Sequence, residues 1–429
     1  MLHLLVLGTR PEIIKLSPLI IYLQQKEEFF SIIDTGQHFN YEMSTVFYLE
    51  LKLPPPSFQF QLPKDRPNNQ IGFILSNLLS LIPRINPDVI YAQGDTNTVF
   101  CAALASQRLN IPFVHIEAGI RSFDPTMPEE LNRKFASLTA SLHCVPTTLA
   151  AKNLLMEGIE PFRICITGNT IVDAVKNYLN TNPPKSKLLE EIPRIQTSDG
   201  FLVLTLHRPA TVDNPEILKK VLITLTKLSF NILFFIHPRT RKRIEEFGYQ
   251  SLLDNSNIIL HTPIGYFDFL NILRDSKGIL TDSGGIQEES ATLGLPCITL
   301  RPNTERPESI IAGTNSLINP FNSNFEDLLI NKVNEIKEYK FLKSNKNPFG
   351  DGHASEKILN KVKEMFEKGE LELRPPDLTQ KYPKFVLESF NNLKDTIQLG
   401  FNDDGELLSP DDDLNLGKDF IKKKYFDLT

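Results

Sequence analysis

Short apolar segments alternate with longer amphipathic segments along most of this chain. In the first half, the apolar segments are rich in Val, Ile and Leu and are too short to be helices, so they predict β-strands. The predicted strands are 2–7, 32–34, 89–92, 113–116, 142–145 and 164–167. Because helical segments separate them, we expect the strands to run parallel in one sheet covered by helices.

A second set of the same kind follows, with predicted strands at 201–206, 232–236, 258–260, 278–280 and 297–300. The stretch 180–200 between the two sets has three prolines and no clear periodicity, which is typical of an interdomain linker. We therefore expect an α/β fold of two Rossmann-like, doubly wound domains, residues 1–180 and 181–369. Such sheets bind ligands outside the carboxyl ends of their strands, so the pattern predicts a ligand cleft between the domains.

The last segment, residues 370–429, differs from the rest in its charge. It holds 13 acidic and 8 basic side chains, in a chain whose net charge is -6. Together with scattered Pro and Asn, this balance predicts an acidic C-terminal extension that is loosely structured and peripheral.

Composition narrows the class of protein. With 41% hydrophobic and 23% charged residues, the 429-residue chain can bury two cores. The net charge of -6 leaves no basic surface for nucleic acid, and no apolar stretch approaches the roughly 20 residues needed to span a membrane.

No targeting signal is visible at the N-terminus. The four widely spaced cysteines read as buried thiols, so we expect a cytoplasmic protein.

The first candidate binding motif, Gly-Thr-Arg-Pro-Glu-Ile-Ile-Lys at 8–15, directly follows the first predicted strand. A strand, a glycine turn and a helix that begins with proline present free backbone N–H groups to an anion. Arg10 and Lys15 add positive charge at the same edge. An ordinary helix start with two solvated basic residues explains this motif equally well.

The second candidate motif is Thr-Asp-Ser-Gly-Gly-Ile-Gln-Glu-Glu at 281–289, where a predicted strand leads into a helix. Gly284 and Gly285 would let a diphosphate approach the backbone, and Ser283 can donate a hydrogen bond. Glu289, one turn into the helix, could accept hydrogen bonds from ribose hydroxyls. The alternative is an ordinary capped helix with solvated glutamates.

Three acidic residues, Asp95, Glu117 and Glu129, lie at strand ends or in the loops just after them. Carboxylates there feel desolvation and each other's charge, which can raise a pKa towards the range used in proton transfer. One can then act as a base while another acts as an acid. Each alone could be a capping residue, but three that converge on one cleft indicate catalysis.

Basic side chains follow strands of the second half. His207 and His237 close two of them, and imidazole can bind phosphate oxygen or shuttle a proton. Arg306 follows the last strand and suits bidentate contact with phosphate or carboxylate. Structural histidines and an exposed Arg–Glu pair are the alternatives.

Five motifs, taken in their order, resemble those of the bacterial and archaeal non-hydrolysing UDP-N-acetylglucosamine 2-epimerases. They are Gly-Thr-Arg-Pro-Glu at 8–12, Gly-Asp-Thr-Asn-Thr at 94–98, His-Ile-Glu-Ala-Gly-Ile-Arg-Ser at 115–122, Gly-Asn-Thr at 168–170 and the segment 282–289. The resemblance runs from residue 5 to about residue 363, and the motifs are specific as a set. It implies a GT-B arrangement of the two domains, a UDP-sugar substrate in the cleft and a homodimer.

The resemblance also implies roles for individual residues. The UDP-binding positions are Arg10, Lys15, His207, Ser283, Gly284, Gly285, Glu289 and Arg306, with the uracil near Tyr266 and Phe269. The positions implicated in catalysis are Asp95, Glu117, Glu129 and His207. A second, regulatory site for UDP-N-acetylglucosamine would include Gln37, His38 and Arg208. This chain has Pro209-Ala210 where many members have Arg-Glu, which puts that regulation in doubt.

The implied reaction forms UDP-N-acetylmannosamine by eliminating UDP to give a 2-acetamidoglucal and re-adding it after a proton returns to C2 on the other face. This route needs a base, an acid on the opposite side and stabilisation of the leaving diphosphate. We expect no metal or nicotinamide, because the sequence lacks both a ligand cluster with metal spacing and the further glycines of a dinucleotide-binding motif. The alternatives are a hydrolysing 2-epimerase, an epimerase of a diacetamido sugar nucleotide, a GT-B glycosyltransferase and a non-enzymatic sugar-nucleotide sensor.

Overall fold

Within the described part of the chain, the first half forms a seven-stranded parallel sheet. The computed structural model describes residues 1–37, 47–62, 69–192, 195, 199–254, 257–338 and 347–372. The strands are β1 (Leu2–Leu7), β2 (Phe29–Asp34), β3 (Phe58–Gln59), β4 (Val89–Gln93), β5 (Phe113–Ile116), β6 (Leu142–Val145) and β7 (Ile164–Ile166). They lie in the order β3-β2-β1-β4-β5-β6-β7, and neighbouring strands are parallel.

Helices cover both faces of this sheet. They are α1 (Arg10–Gln25), α2 (Gln70–Ile85), α3 (Asn97–Leu109), α4 (Pro128–Thr139), α5 (Thr148–Met156) and α6 (Thr170–Leu179). Leu5 and Leu7 of β1 pack with α1 and α6, whereas Leu4 and Val6 pack with α2, α3 and α4. Burial on both faces explains why these strands are continuous apolar runs in the sequence.

The second half repeats this architecture with six described strands. They are β8 (Phe201–Thr205), β9 (Asn231–Phe235), β10 (Ile258–His261), β11 (Gly278–Thr281), β12 (Cys297–Thr299) and β13 (Asn315–Leu317), in the order β10-β9-β8-β11-β12-β13. The helices are α7 (Lys187–Glu191), α8 (Pro209–Val212), α9 (Pro215–Thr226), α10 (Pro238–Glu246), α11 (Tyr266–Asp275), α12 (Gly284–Leu293), α13 (Pro307–Ile311) and α14 (Phe325–Lys337).

The predicted fold class is confirmed. All eleven predicted strands are present, and their ends differ from the prediction by at most three residues. The prediction missed β3 and β13, edge strands of two and three residues, because segments so short have no periodicity to detect. The strand order reverses between β1 and β4 and between β8 and β11, where doubly wound folds bind their ligands.

The last described helix, α15 (Ala354–Glu367), returns to the first half and packs against α1 and α6. Asp173 of α6 accepts hydrogen bonds from the backbone N–H groups of Ala354 and Ser355, at 3.0 and 2.8 Å, and so caps α15. Leu371, just beyond this helix, is buried. The domain limits at 180 and 369 stay a prediction. Residues 373–429, most of the predicted extension, lie outside the described residues.

The two halves are in direct contact. Tyr178 of α6 stacks on Phe267 of α11 with ring centroids 4.2 Å apart, and its hydroxyl accepts a hydrogen bond from Asn271 at 2.7 Å. Apolar residues of α1 and α6 share one buried cluster with residues of α11 and β11. Among the described helices, none is long and apolar enough to cross a membrane.

Candidate active site

Six polar side chains from both halves meet where the strands of the two sheets end. Lys15, Gln93, Glu117 and Asn169 come from the first half, and Glu288 and Arg306 from the second. Gln93 ends β4, and the others lie in the loops or helices that follow strands. We call this set the polar cluster. Its four charged side chains are at most 9% exposed, so their charges interact in an environment of low dielectric.

Glu117 is the centre of the polar cluster. It follows β5 directly and has a φ of 64°, a left-handed conformation that is uncommon for a residue other than glycine and is often found at functional sites. Its carboxylate accepts hydrogen bonds from Gln93 at 2.9 Å, from Asn169 at 3.2 Å and from Arg306 at 2.9 Å. It also pairs with Lys15.

Burial alone would raise the pKa of Glu117, but the positive charges of Lys15 and Arg306 outweigh it and lower that pKa. Burial would lower the pKa of Lys15, but the charges of Glu117 and Glu288 outweigh it and raise that pKa. The pKa of Arg306 is raised in the same way, against its burial, mainly by Glu288. These shifts favour an ionised Glu117 between two cations.

Hydrogen bonds to Glu12 hold the turn of the 8–15 motif in place. The Glu12 carboxylate accepts hydrogen bonds from the backbone N–H groups of Gly8 and Thr9, at 2.9 and 2.8 Å, which completes a capping box at the start of α1. It also accepts a hydrogen bond from the hydroxyl of Thr96 at 2.6 Å. Burial raises the pKa of Glu12 to about 7. This turn places Arg10 and Lys15 on the cleft side of α1.

Asp282 organises the second motif. Its buried carboxylate accepts hydrogen bonds from the backbone N–H groups of His207 and Arg208, each at 2.8 Å, which ties the end of β8 to the end of β11. Ser283 is the N-cap of α12, and Gly284 and Gly285 form its first turn, so free N–H groups face the cleft. This geometry supports the expected anion site.

A cavity of about 180 Å³ lies beside this helix start. It is lined by Arg10, Thr205, Leu206, His207, Phe235, His237, Pro263, Ile264, Phe269, Ser283 and Ile286. Phe235 and Phe269 meet edge to face with ring centroids 5.5 Å apart and give one wall a flat apolar surface. The cavity can therefore hold a planar ring on one side and an anion at Ser283 on the other.

Two histidines line this cavity, whereas the predicted nucleotide contacts Tyr266 and Glu289 are not among its lining residues. His207 and His237 lie with their rings 5.7 Å apart, and burial lowers the pKa of each. Tyr266 is buried at the start of α11. Glu289 is also buried, and burial raises its pKa to about 7. Among the described residues, no group of three or more His, Cys, Asp or Glu side chains is placed to hold a metal ion.

The structure does not bring Asp95 and Glu129 into the polar cluster. Asp95 pairs with Arg133 of α4 at 2.5 Å, and its side chain is 30% exposed. Glu129 is exposed on the first turn of α4. The neighbouring Glu130 is the buried one, and it accepts a hydrogen bond from Arg133 at 3.0 Å. Only one of the three predicted carboxylates, Glu117, is therefore buried between the two halves of the chain.

The three residues predicted for a regulatory site have different surroundings. The Gln37 side chain accepts hydrogen bonds from the backbone N–H and the hydroxyl of Thr98, both at 2.9 Å, and so supports the start of α3. His38 lies outside the described residues. The backbone of Arg208 is fixed by Asp282, while its Nε is buried without a hydrogen-bond partner. Regulation stays a prediction.

Sequence reasoning missed Glu288, Asn169, Gln93 and Asp282. Glu288 and Asp282 lie inside the second motif and Asn169 inside Gly-Asn-Thr, so the signal for these three was present. Periodicity could not tell which of the adjacent glutamates 288 and 289 faces the first half, because that depends on how the halves dock.

Comparison with known proteins agrees with this geometry. The family model described as UDP-N-acetylglucosamine 2-epimerase matches residues 22–363. A Methanocaldococcus jannaschii protein named UDP-N-acetylglucosamine 2-epimerase is 42% identical over 361 residues, covering 83% of this chain and 97% of the relative.

Two solved structures share the fold over most of the chain. The structure of Methanocaldococcus jannaschii UDP-GlcNAc 2-epimerase in complex with UDP-GlcNAc and UDP has a TM-score of 0.75 at 40% identity, covering 85% of this chain and 100% of that one. The Neisseria meningitidis enzyme bound to UDP-GlcNAc has a TM-score of 0.77 at 31% identity, with the same coverage. These matches confirm the GT-B arrangement expected from the motifs. The chain therefore belongs to the UDP-N-acetylglucosamine 2-epimerase family.

Proposed function

We propose that this protein interconverts UDP-N-acetylglucosamine and UDP-N-acetylmannosamine without hydrolysing them. The observation that carries the proposal is the position of Glu117, which Lys15 and Arg306 hold between the two halves of the chain. A carboxylate that can take a proton and cations that can stabilise a leaving diphosphate then share one site. The relatives solved with UDP-GlcNAc support the choice of substrate.

The reaction begins when a base removes the proton at C2 of the sugar. The electrons of the C2–H bond form the C1=C2 bond of a 2-acetamidoglucal, the C1–O bond breaks and the diphosphate leaves with its negative charge. Ser283, the N–H groups of Gly284 and Gly285, and Arg306 are suited to hold that charge. UDP then adds back to C1 as a proton reaches C2 on the opposite face.

Glu117 and Glu129 are the proposed proton-transfer groups, on opposite sides of C2, and Asp95 helps to set their charge. Glu129 is exposed, but Arg133 ties its helix to Asp95. His207 lines the cavity beside Ser283 and is proposed both to contact the diphosphate and to assist catalysis. The remaining proposed UDP contacts are Arg10, Lys15, Glu289 and, around the uracil, Tyr266 and Phe269.

The direct test incubates the protein with UDP-N-acetylglucosamine in deuterated water and follows C2 by NMR. We expect deuterium at C2 of both UDP-sugars with little free UDP. Equimolar release of UDP and N-acetylmannosamine would favour the hydrolysing alternative. No C2 exchange would contradict the proposal, and exchange with a diacetamido sugar nucleotide alone would assign a different substrate.

Isosteric amides test the two proton-transfer groups. Glu117→Gln and Glu129→Gln should each lower turnover by roughly 10²–10⁴-fold and suppress C2 deuterium uptake, because an amide cannot accept the proton. UDP affinity, measured by calorimetry, should remain close to that of the wild type. A variant that exchanges C2 at the wild-type rate would remove its residue from the acid–base pair.

The proposal includes a homodimer in the cytoplasm that supplies polysaccharide biosynthesis. Leu131 and Leu138, seven residues apart on one side of α4, are 67% and 72% exposed, so they offer an apolar stripe to a second copy of the chain. The double substitution Leu131→Asp and Leu138→Asp should halve the mass measured by light scattering. Met156→Asp, at a comparably exposed position on α5, is the control that should not. A wild-type monomer would contradict the dimer.

A further inference from the structure

Glu288 is a fully buried carboxylate without a role in the reaction outlined above. It lies on the second turn of α12 and is 0% exposed. A buried carboxylate costs several kcal/mol of desolvation unless charged partners compensate it. Its neighbour Glu289 is buried as well and interacts with both Lys15 and Arg10.

Glu288 and Glu117 have three hydrogen-bond donors in common. The Glu288 carboxylate accepts hydrogen bonds from Lys15 and from Asn169, each at 3.0 Å, and from Nε of Arg306. Lys15, Asn169 and Arg306 also donate to Glu117. Two carboxylates, one from each half of the chain, therefore share the same three donors.

Arg306 binds the two carboxylates through different nitrogen atoms, so one contact can be released while the other is kept. Its Nε is bound to Glu288, which belongs to the same half of the chain, whereas one terminal nitrogen is bound to Glu117 across the cleft at 2.9 Å. The guanidinium is planar and rigid, so its Nε contact fixes the direction of the terminal nitrogens. The bond to Glu117 can then be exchanged for a phosphate oxygen without loss of the bond to Glu288.

The charges of the polar cluster also indicate that Glu288 keeps the cations paired. The polar cluster contains two cations, Lys15 and Arg306, and two carboxylates. If Glu117 were their only counter-ion, releasing it to take a proton would break both ion pairs in a site of low dielectric. Glu288, a second carboxylate paired with both cations, lets Glu117 leave while the cations remain paired.

We infer that Glu288 is a positioning residue. It holds Lys15 and Arg306 in place while Glu117 releases these two cations and takes the proton from C2. The inference rests on the proposed epimerase reaction. In this role Glu288 acts through the two cations, which it contacts directly.

Glu288→Gln tests this role, because it keeps the size of the side chain and removes its charge. Turnover should fall by about 100-fold, as expected when a reacting group is misplaced by a remote change. UDP affinity should be unchanged or higher, because the site loses a negative charge. The acid limb of the pH profile of kcat/KM should move to lower pH, because Glu117 is then the one member of the polar cluster that pairs with both cations. Glu289, which acts on Lys15, and Glu305, which acts on Arg306, are the same in both proteins.

Two further variants complete the experiment. Glu288→Asp keeps the charge, so it should leave the acid limb in place even if turnover falls. Glu326→Gln is the control, because it removes a carboxylate of the same half of the chain that pairs with Lys227. It lies outside the polar cluster and should keep wild-type turnover and pH profile.

The outcomes separate this inference from the proposed function. An inactive wild-type protein would overturn both. An active wild type with wild-type turnover and pH profile in Glu288→Gln would overturn the inference alone. Loss of UDP binding together with turnover in Glu288→Gln, or an unfolded variant, would show a purely structural role and would also overturn it.

Discussion

At the scale of single residues, the ionisation of Glu289 leads to a testable prediction about nucleotide binding. Burial raises its pKa to about 7. Ribose hydroxyls that donate to the carboxylate favour its ionised form, so they lower the pKa in the complex. UDP binding near pH 7 should therefore release up to one proton from Glu289, and affinity should rise as the pH increases through 7.

Calorimetry in buffers of different ionisation enthalpy measures that proton. UDP titrates in the same range, so the relevant quantity is the difference between the wild type and Glu289→Gln at one pH. We expect the difference to approach one proton at pH 6 and to vanish at pH 9. Equal proton release by the two proteins at pH 6 would remove Glu289 from the ribose contacts.

The same pKa has a consequence for stability. A carboxyl group whose pKa is raised in the folded state contributes stability at low pH that is lost as the pH rises from its unfolded value, near 4.5, to about 7. Glu12 has the same pKa for the same reason, burial. Glu12 lies in α1 and Glu289 in α12, so each half of the chain should lose stability as the pH rises towards 7.

At the scale of elements, the first turn of α12 lets a ligand come close to the helix backbone. An added Cβ on Gly285 would meet no atom within 4 Å, so only a ligand requires glycine there. Gly285→Ala should raise the melting temperature slightly, since alanine is favoured over glycine in helices by up to about 1 kcal/mol. UDP affinity should fall, because the methyl group occupies the space above the helix N-terminus.

Gly8→Ala in the turn before α1 is the matched control, and it should behave in the opposite way. A Cβ there would lie 1.9 Å from Oγ1 of Thr35 and 2.7 Å from Oγ1 of Thr98, which are hydrogen-bonded to each other. Such overpacking should destabilise the protein by about 1–3 kcal/mol in denaturant melts. Unchanged UDP affinity in Gly285→Ala would count against an anion site at α12.

At the scale of the whole molecule, truncation can locate where the folded part of the chain ends. A chain that ends after residue 372 should fold and turn over like the full-length protein, because it keeps α15 and the buried Leu371. A chain that ends after residue 353 should be unfolded or insoluble. It loses the helix that Asp173 caps and that covers α1 and α6.

Circular dichroism and the C2 exchange assay compare the two truncated chains with the full-length protein. An inactive or insoluble product after residue 372 would show that residues 373–429 complete the fold or the site. A stable product after residue 353 would show that α15 contributes little to the packing of the first half.

The local pattern was enough to predict the layers of this molecule and the chemistry of its strand ends. Buried parallel strands are apolar on both faces, so each appears as a short continuous run, and the five motifs follow such runs directly. The predicted residues Glu117, Lys15, Arg306 and Ser283 do gather at the facing edges of the sheets for this reason.

Only the tertiary structure decided how these residues pair. Glu288 and Glu117 are 171 positions apart, and their sharing of Lys15, Asn169 and Arg306 depends on how one half docks on the other. The same docking leaves Glu129 exposed and returns α15 to the first half. Sequence periodicity records which side of an element is buried, whereas contacts between distant elements arise from packing and charge balance that no local segment contains.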